Sequence, residues 1–252
     1  MLPNIVIYTI TFIFGIVIGS FLNVCIYRVP KKEDIVKTSS HCMNCGHKLA
    51  WYDLFPILSF VFLGGKCRYC KAKLSIQYPT IEALNGVMYV LIVRLFGVSV
   101  TSLLFAALVS ALIVLAVIDE RTMEIPLGIN IFILIIGIAY TIIDRSNWVS
   151  HLLGAISVSG FLALIYLITK GRGIGGGDVK MMFTCGLFVG LGNILLALMI
   201  GCITGSVIHI IRMKISKKDH VLAMGPYLAF GVLISLLFGE GIIRWYLSGY
   251  MM

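Results

Sequence analysis

Long apolar stretches make up most of the chain, and short polar segments separate them. A helix of about 20 apolar residues crosses the hydrocarbon core of a bilayer, and shorter helices can cross where neighbours bury them. The pattern therefore predicts an all-α polytopic membrane protein with about eight transmembrane helices. Their predicted ranges are 4–27, 80–97, 100–118, 126–143, 149–169, 178–190, 193–212 and 222–247.

The composition agrees with this pattern. Of the 252 residues, 60% are hydrophobic and 12% are charged, whereas soluble domains carry about 25% charged residues. The formal net charge of +9 would suit nucleic acid as well as lipid. Because the basic residues lie between the apolar stretches, we expect membrane lipids and no nucleic acid as partners.

The positions of the basic residues predict an orientation. If residues 28–79 are cytoplasmic, 17 of the 20 Lys and Arg residues lie on the cytoplasmic side. Positive charge accumulates in cytoplasmic loops, so we expect the N-terminus outside. The first helix carries no charge before Arg28 and should remain as a membrane anchor rather than a cleaved signal peptide.

Four of the seven cysteines form two Cys-x-x-Cys pairs in the predicted cytoplasmic segment, residues 28–79. The pairs are Cys42 with Cys45 and Cys67 with Cys70, and 21 residues separate them. Such spacing is typical of a closed, structural four-thiolate zinc site, which would supply folding energy to a small loop. Disulfides and redox-active thiols are the alternatives, although a reducing cytosol argues against disulfides. The sequence therefore predicts a small cytoplasmic zinc-knuckle loop.

Two aspartates lie at the ends of predicted spans, where an ionisable group is costly and usually functional. Asp119 ends the third span and Asp178 opens the sixth. Counting the crossings places both carboxyl groups on the cytoplasmic side, so they could meet. Two carboxyl groups in a poorly hydrated site share one proton, which suits the hydrolysis of an amide. Helix-end caps, ion pairs with Arg121 or Lys180, and a proton relay remain alternatives.

Three consecutive glycines, residues 175–177, precede Asp178. Glycine adds no side chain and tolerates unusual backbone angles. We therefore expect Gly175 and Gly177 to keep the approach to Asp178 open for an extended substrate.

A series of ordered motifs covers nearly the whole chain. They are Gly19–Pro30, the paired Cys-x-x-Cys loop, Gln77–Gly86, Asp119–Pro126, Gly175–Lys180 and Met224–Gly231. Together they resemble the bacterial type IV prepilin peptidases, a family of GxGD-type aspartic leader peptidases that are also N-methyltransferases. Leu127 stands where an acidic residue is common in that family, which leaves the substrate range open.

The resemblance implies an enzyme of the bacterial cytoplasmic membrane whose active site faces the cytoplasm. It would cleave the leader of type IV prepilins or pseudopilins after a glycine, with Asp119 and Asp178 as catalytic residues. It would also methylate the new N-terminal residue with S-adenosylmethionine. Residues 1–98, comprising the anchor helix, the zinc loop and the second helix, would be associated with methylation. Residues 99–252 would form the peptidase region.

Glu82 is an acid within the second predicted span. We expect it either to pair with a basic group such as Arg94 or Lys180, or to belong to the methylation or substrate site. A different class of protein stays open on the residues alone. In a proton-coupled transporter with a regulatory zinc knuckle, Asp119, Asp178 and Glu82 would relay protons. Transporters commonly contain inverted repeats, and no convincing repeat is evident in the sequence.

Overall fold

A computed structural model of the chain describes residues 2–215 and 222–250. Within these residues the fold is all-helical, apart from two isolated β-bridges in residues 29–76, the segment between the first and third α-helices that is called the cysteine loop below. The α-helices are α1 Leu2–Arg28, α2 Leu58–Phe62, α3 Gln77–Phe96, α4 Val100–Thr122, α5 Leu127–Ile143, α6 Trp148–Ile168, α7 Gly176–Val189, α8 Leu191–Ile215 and α9 Gly225–Tyr250.

Within the described ranges, six segments are long and apolar enough to cross a membrane. They are Asn4–Arg28, Gln77–Phe96, Val100–Thr122, Arg145–Ile168, Leu191–Ile215 and Gly225–Gly249. Each of the eight predicted ranges coincides with a helix, but α5 has 17 residues and α7 has 14. At about 1.5 Å per residue, α7 covers only about 21 Å of a hydrocarbon core about 30 Å thick. Eight full spans are therefore not confirmed.

The chain forms two compact units, Met1–Val114 and Leu115–Met252, and the division falls within α4. In the first unit, glycines allow α1 and α3 to approach closely. A Cβ at Gly15 would lie 2.7 Å from Gly86 Cα, and one at Gly19 would lie 2.7 Å from Glu82 Cα. Small residues at such contacts let helix backbones pack tightly in a membrane. This packing brings Glu82 against α1.

A buried polar network adds to the first unit. Asn85 of α3 is fully buried, and its side-chain Nδ2 donates a 2.7 Å hydrogen bond to the carbonyl of Gly15. Ser110 donates to Asn85 Oδ1 over 2.9 Å and lies 3.0 Å from the Tyr89 hydroxyl. All these groups have partners, so the network can lie in an apolar interior at little cost.

In the second unit, α7 packs against α5 and α6, and α8 packs against α9. The α6–α7 contact depends on glycine, because a Cβ at Gly154 would lie 2.6 Å from the carbonyl oxygen of Gly186. The short α7 is enclosed by this packing, and most of its residues are buried. The unit contains both aspartates predicted to act together.

Candidate active site and metal centre

Asp119 lies in the last turn of α4 and is 4% exposed. Its Oδ2 accepts a 2.9 Å hydrogen bond from the backbone N–H of Gly225, the first residue of α9. The first N–H groups of a helix have no partner within it, and the helix dipole favours negative charge there. Asp119 therefore caps the N-terminus of α9. A helix-end cap was one of the alternatives left open by the sequence, and the capped helix lies about a hundred residues further along the chain.

Asp178 lies in the first turn of α7 and is 8% exposed. The backbone of Gly175 hydrogen-bonds to its carboxyl group, and the charge of Asp119 acts on the same group. The structure thus brings the two buried carboxyl groups within electrostatic range of each other. Their interaction is stronger than it would be in water, because the protein interior screens charge less well.

The two predicted access glycines have different surroundings. A Cβ at Gly175 would lie 3.1 Å from Asp178 Oδ2, so glycine leaves room directly beside the carboxyl group. A Cβ at Gly177 would lie 3.0 Å from Ile125 Cβ, so glycine there permits close packing of α7 against the segment before α5. A role for either glycine in substrate access stays a prediction.

Glu120, the neighbour of Asp119 in the chain, forms an ion pair at this end of α4. Arg212 Nη1 lies 2.9 Å from Glu120 Oε1, and both side chains are about half exposed. Such an exposed pair contributes little to stability. The Asp119 carboxylate faces the start of α9.

Asn130 in the first turn of α5 was not anticipated from the sequence. It is 3% exposed, and within the described residues neither side-chain polar atom has a hydrogen-bond partner. It lines an apolar groove of about 440 Å³ on α5, α6 and α7, which Lys180 also borders. An unpaired buried amide is costly, and the signal that could have revealed it is a lone amide in an otherwise apolar helix.

The four cysteines predicted as metal ligands converge in the first unit. Their Sγ atoms all lie within 4.8 Å of one another, and Cys42 Sγ is 3.8 Å from Cys70 Sγ. Four zinc–sulfur bonds of about 2.3 Å in a tetrahedron place sulfur atoms about 3.8 Å apart. The donor set and its spacing therefore fit a zinc ion.

At Cys42 and Cys70 the backbone favours the thiolate form that a metal requires. The pKa of the Cys70 thiol is lowered to about 6, chiefly by a hydrogen bond from the backbone of Ala72 and then by the Asn44 side chain. The pKa of Cys42 is also lowered, first by the backbone of Cys45 and then by that of Asn44. Amides directed at the sulfur atoms stabilise negative charge before any metal binds.

Glu82 lies in α3 and is 6% exposed. Its Oε2 accepts a 2.7 Å hydrogen bond from the backbone N–H of Ile57, and the Ser20 side chain hydrogen-bonds to the same carboxyl group. The expected pairing with Arg94 is wrong, because twelve residues along one helix separate the two positions by about 18 Å. The partners of Glu82 come from α1 and from the cysteine loop.

Comparison with known proteins identifies the family. Residues 13–96 match the Bacterial Peptidase A24 N-terminal domain, and residues 106–210 match the Type IV leader peptidase family. The prepilin leader peptidase/N-methyltransferase of Bacillus subtilis is 34% identical over 245 residues, which cover 95% of this chain and 98% of that protein. The chain belongs to the type IV prepilin leader peptidase/N-methyltransferase family.

Other members of the prepilin leader peptidase/N-methyltransferase family align over most of their length. The Legionella pneumophila protein is 30% identical, with 97% of this chain and 96% of that protein covered. The Aeromonas salmonicida protein is 27% identical, with 96% and 94% covered. No solved structure matches the chain.

Family membership confirms the resemblance read from the motifs. The chain is a multi-pass membrane protein of bacterial type and an A24 aspartic peptidase of the prepilin leader peptidase/N-methyltransferase family. Membership of this enzyme family rules against the alternative interpretation of the chain as a proton-coupled transporter.

Proposed function

We propose that Asp119 and Asp178 form the catalytic dyad that removes the leader of type IV prepilins or pseudopilins after a glycine. The observation that carries this proposal is the pair of buried, electrostatically coupled carboxyl groups at the end of α4 and the start of α7. Each lies beside a glycine that leaves room at its oxygen atoms, Gly225 at Asp119 and Gly175 at Asp178.

The dyad holds one proton, because two like charges in a poorly hydrated site cannot both ionise cheaply. The ionised carboxylate takes a proton from a water molecule, whose oxygen forms the new bond to the scissile carbonyl carbon. The protonated carboxyl group donates its proton to the carbonyl oxygen. When the tetrahedral diol collapses, the C–N bond breaks, the leaving amine takes a proton from the dyad, and one diol hydroxyl returns its proton to the other carboxylate, which restores the single shared proton.

The glycines would serve the approach of the substrate. An extended peptide backbone must come within hydrogen-bonding distance of both carboxyl groups. Gly175 leaves space on the Asp178 side, and Gly177 holds the start of α7 close to Ile125. A side chain at either position would therefore obstruct the approach or displace Asp178.

The active site would face the cytoplasm, with the N-terminus on the outer side of the bacterial cytoplasmic membrane. The support is the distribution of charge, since 17 of the 20 Lys and Arg residues fall on one side in this arrangement. Prepilins, pseudopilins and membrane lipids are the expected partners.

The second activity would be N-methylation of the new N-terminal residue, associated with residues 1–98. The new N-terminal amine would accept the methyl group from S-adenosylmethionine: a C–N bond would form as the C–S bond breaks with its electrons left on sulfur, and the nitrogen would then lose a proton to water. Cys42, Cys45, Cys67 and Cys70 would hold a structural zinc ion. With four thiolates the site would be closed, so the metal would order the loop rather than react.

Mass spectrometry of a synthetic prepilin peptide tests the proposed function. The peptide carries a basic leader, Gly, Phe and an apolar tail, and is incubated with zinc-loaded protein in detergent and S-adenosylmethionine. The expected product has lost the leader and gained one methyl group. Intact peptide from folded protein with several leaders would contradict the peptidase assignment, and cleavage without methylation would contradict the second activity.

A further inference from the structure

A cavity of about 380 Å³ lies within the first unit, between α1, α3 and the cysteine loop. Its wall includes Ser20 of α1, Tyr78 and Glu82 of α3, and the zinc-ligand candidates Cys42 and Cys67. Small-molecule sites have volumes of about 300–1,000 Å³. The cavity is therefore of a size for a nucleoside-like ligand.

Glu82 gives this cavity a buried carboxylate. Its hydrogen bonds come from the Ile57 backbone and the Ser20 hydroxyl, which are both uncharged donors. A buried charge is stable only when an opposite charge or several hydrogen bonds compensate it. A positively charged group on a ligand would complete the compensation.

Lys73 and two arginines line the cavity, and both arginines are engaged elsewhere. Arg28 donates to the backbone carbonyls of Asp34, Thr38 and Ser39. Arg68 pairs with Asp53 over 2.7 Å. Their guanidinium groups hold the cysteine loop in shape and leave the carboxylate of Glu82 available to a ligand.

The backbone is strained at Ile57, the residue whose N–H donates to Glu82. Ile57 has a φ of 61°, a conformation that is rare for a β-branched residue. Its N–H points at Glu82 Oε2. Strained residues of this kind cluster at ligand sites, where the surrounding structure enforces them.

Aromatic side chains supply an apolar part of the wall. Phe55 and Phe60 from the cysteine loop and Tyr78 from α3 line the cavity. Flat rings of this kind suit contact with a planar base. The cavity thus combines a carboxylate for a cation with aromatic surface for a heterocycle.

We propose that this cavity binds S-adenosylmethionine, with the Glu82 carboxylate facing the sulfonium and the aromatic rings contacting the adenine. The proposal rests on the proposed N-methyltransferase activity and names the site that serves it. Because Cys42 and Cys67 form part of the wall, the cysteine loop would shape the methyl-donor site.

Titration calorimetry of zinc-loaded, detergent-solubilised protein tests the proposal with two ligands. S-adenosylmethionine carries the sulfonium, and S-adenosylhomocysteine has a neutral sulfur. Glu82→Gln should weaken binding of the first at least about tenfold, as expected for loss of one partner of a buried charge pair, and change binding of the second much less. Phe60→Ala should weaken both ligands equally. Glu240→Gln, an exposed acid-to-amide change in α9, should alter neither.

Ultraviolet crosslinking of radiolabelled S-adenosylmethionine gives a second readout, which does not depend on whether Glu82→Gln folds. The label should appear in peptides from residues 20–82. If the unmodified protein methylates its peptide but the label maps to residues 115–252, or Glu82→Gln keeps the wild-type preference for the sulfonium, the cavity is not the site. If the unmodified protein neither binds the donor nor methylates, the proposed methyltransferase function fails instead.

Discussion

The backbone N–H of Gly225 donates a 2.9 Å hydrogen bond to the carboxylate of Asp119, which joins the start of α9 to the end of α4. A Cβ at position 225 would lie 2.6 Å from the same oxygen atom. The carboxylate is therefore held by a main-chain group of a residue that has no side chain to obstruct it.

Asp119→Asn and Asp178→Asn should each lower leader cleavage at least about a hundredfold, since general acid–base groups contribute about 10²–10⁴-fold. An amide can neither take the proton of the attacking water nor share one with its partner. Glu120→Gln is the matched control, because Glu120 adjoins Asp119 but pairs with Arg212 at the surface. Substantial cleavage by either Asn variant in a correctly inserted protein would remove that residue from the dyad.

Gly225→Ala should reduce leader cleavage without preventing zinc binding. The added Cβ must displace the Asp119 carboxylate, and misplacing a catalytic group by about 1 Å can cost about a hundredfold in rate. Gly241→Ala in the same helix has open space around its Cβ and should retain activity. Equal rates for the two variants in the peptide assay would show that the contact is unimportant.

Zinc should be present at one ion per chain and should be lost in Cys67→Ser. Metal analysis of purified protein by mass spectrometry measures this directly. Cys202→Ser is the control, because Cys202 is an exposed thiol outside the cluster. We expect Cys67→Ser to lose methylation while it keeps leader cleavage, since the metal orders the loop of the first unit. Full zinc content in Cys67→Ser would contradict the four-thiolate site.

Asn85→Leu should destabilise the protein, whereas Asn130→Leu should not. Asn130 has no hydrogen-bond partner among the described residues, so an apolar replacement should be neutral or stabilise by about 1 kcal/mol. Asn85 bonds to Gly15 and Ser110, and its loss should cost about 1–3 kcal/mol. Thermal unfolding in detergent measures both. A large destabilisation by Asn130→Leu would mean that its amide has a structural partner.

Several features could be predicted from the sequence because they depend on local properties. Apolar stretches located the helices from α1 to α9, apart from the five-residue α2, and cysteine spacing predicted the four-sulfur cluster. Asp119 and Asp178 stood out because carboxyl groups are rare in apolar helices. The motif order predicted the family, and this is confirmed. The functional boundary at residues 98 and 99 stays a prediction.

The number of full spans was not predictable in the same way. Hydropathy marked α5 and α7 as spans, but their lengths of 17 and 14 residues fall below that of the longer helices. A short helix buried among other helices of the protein is as apolar in sequence as a helix that faces lipid. Only the packing around a helix distinguishes the two cases.

By itself the sequence determined which segments are helical, which residues carry reactive groups and which family the chain belongs to. Only the tertiary structure decided that Gly225 binds Asp119, that Glu82 binds Ile57 rather than Arg94, and that a cavity lies behind the cysteine loop. Helix formation and motif spacing depend on neighbouring residues. Contacts between distant residues depend on how the helices pack, and a main-chain N–H that serves as a partner has no signature among the side chains.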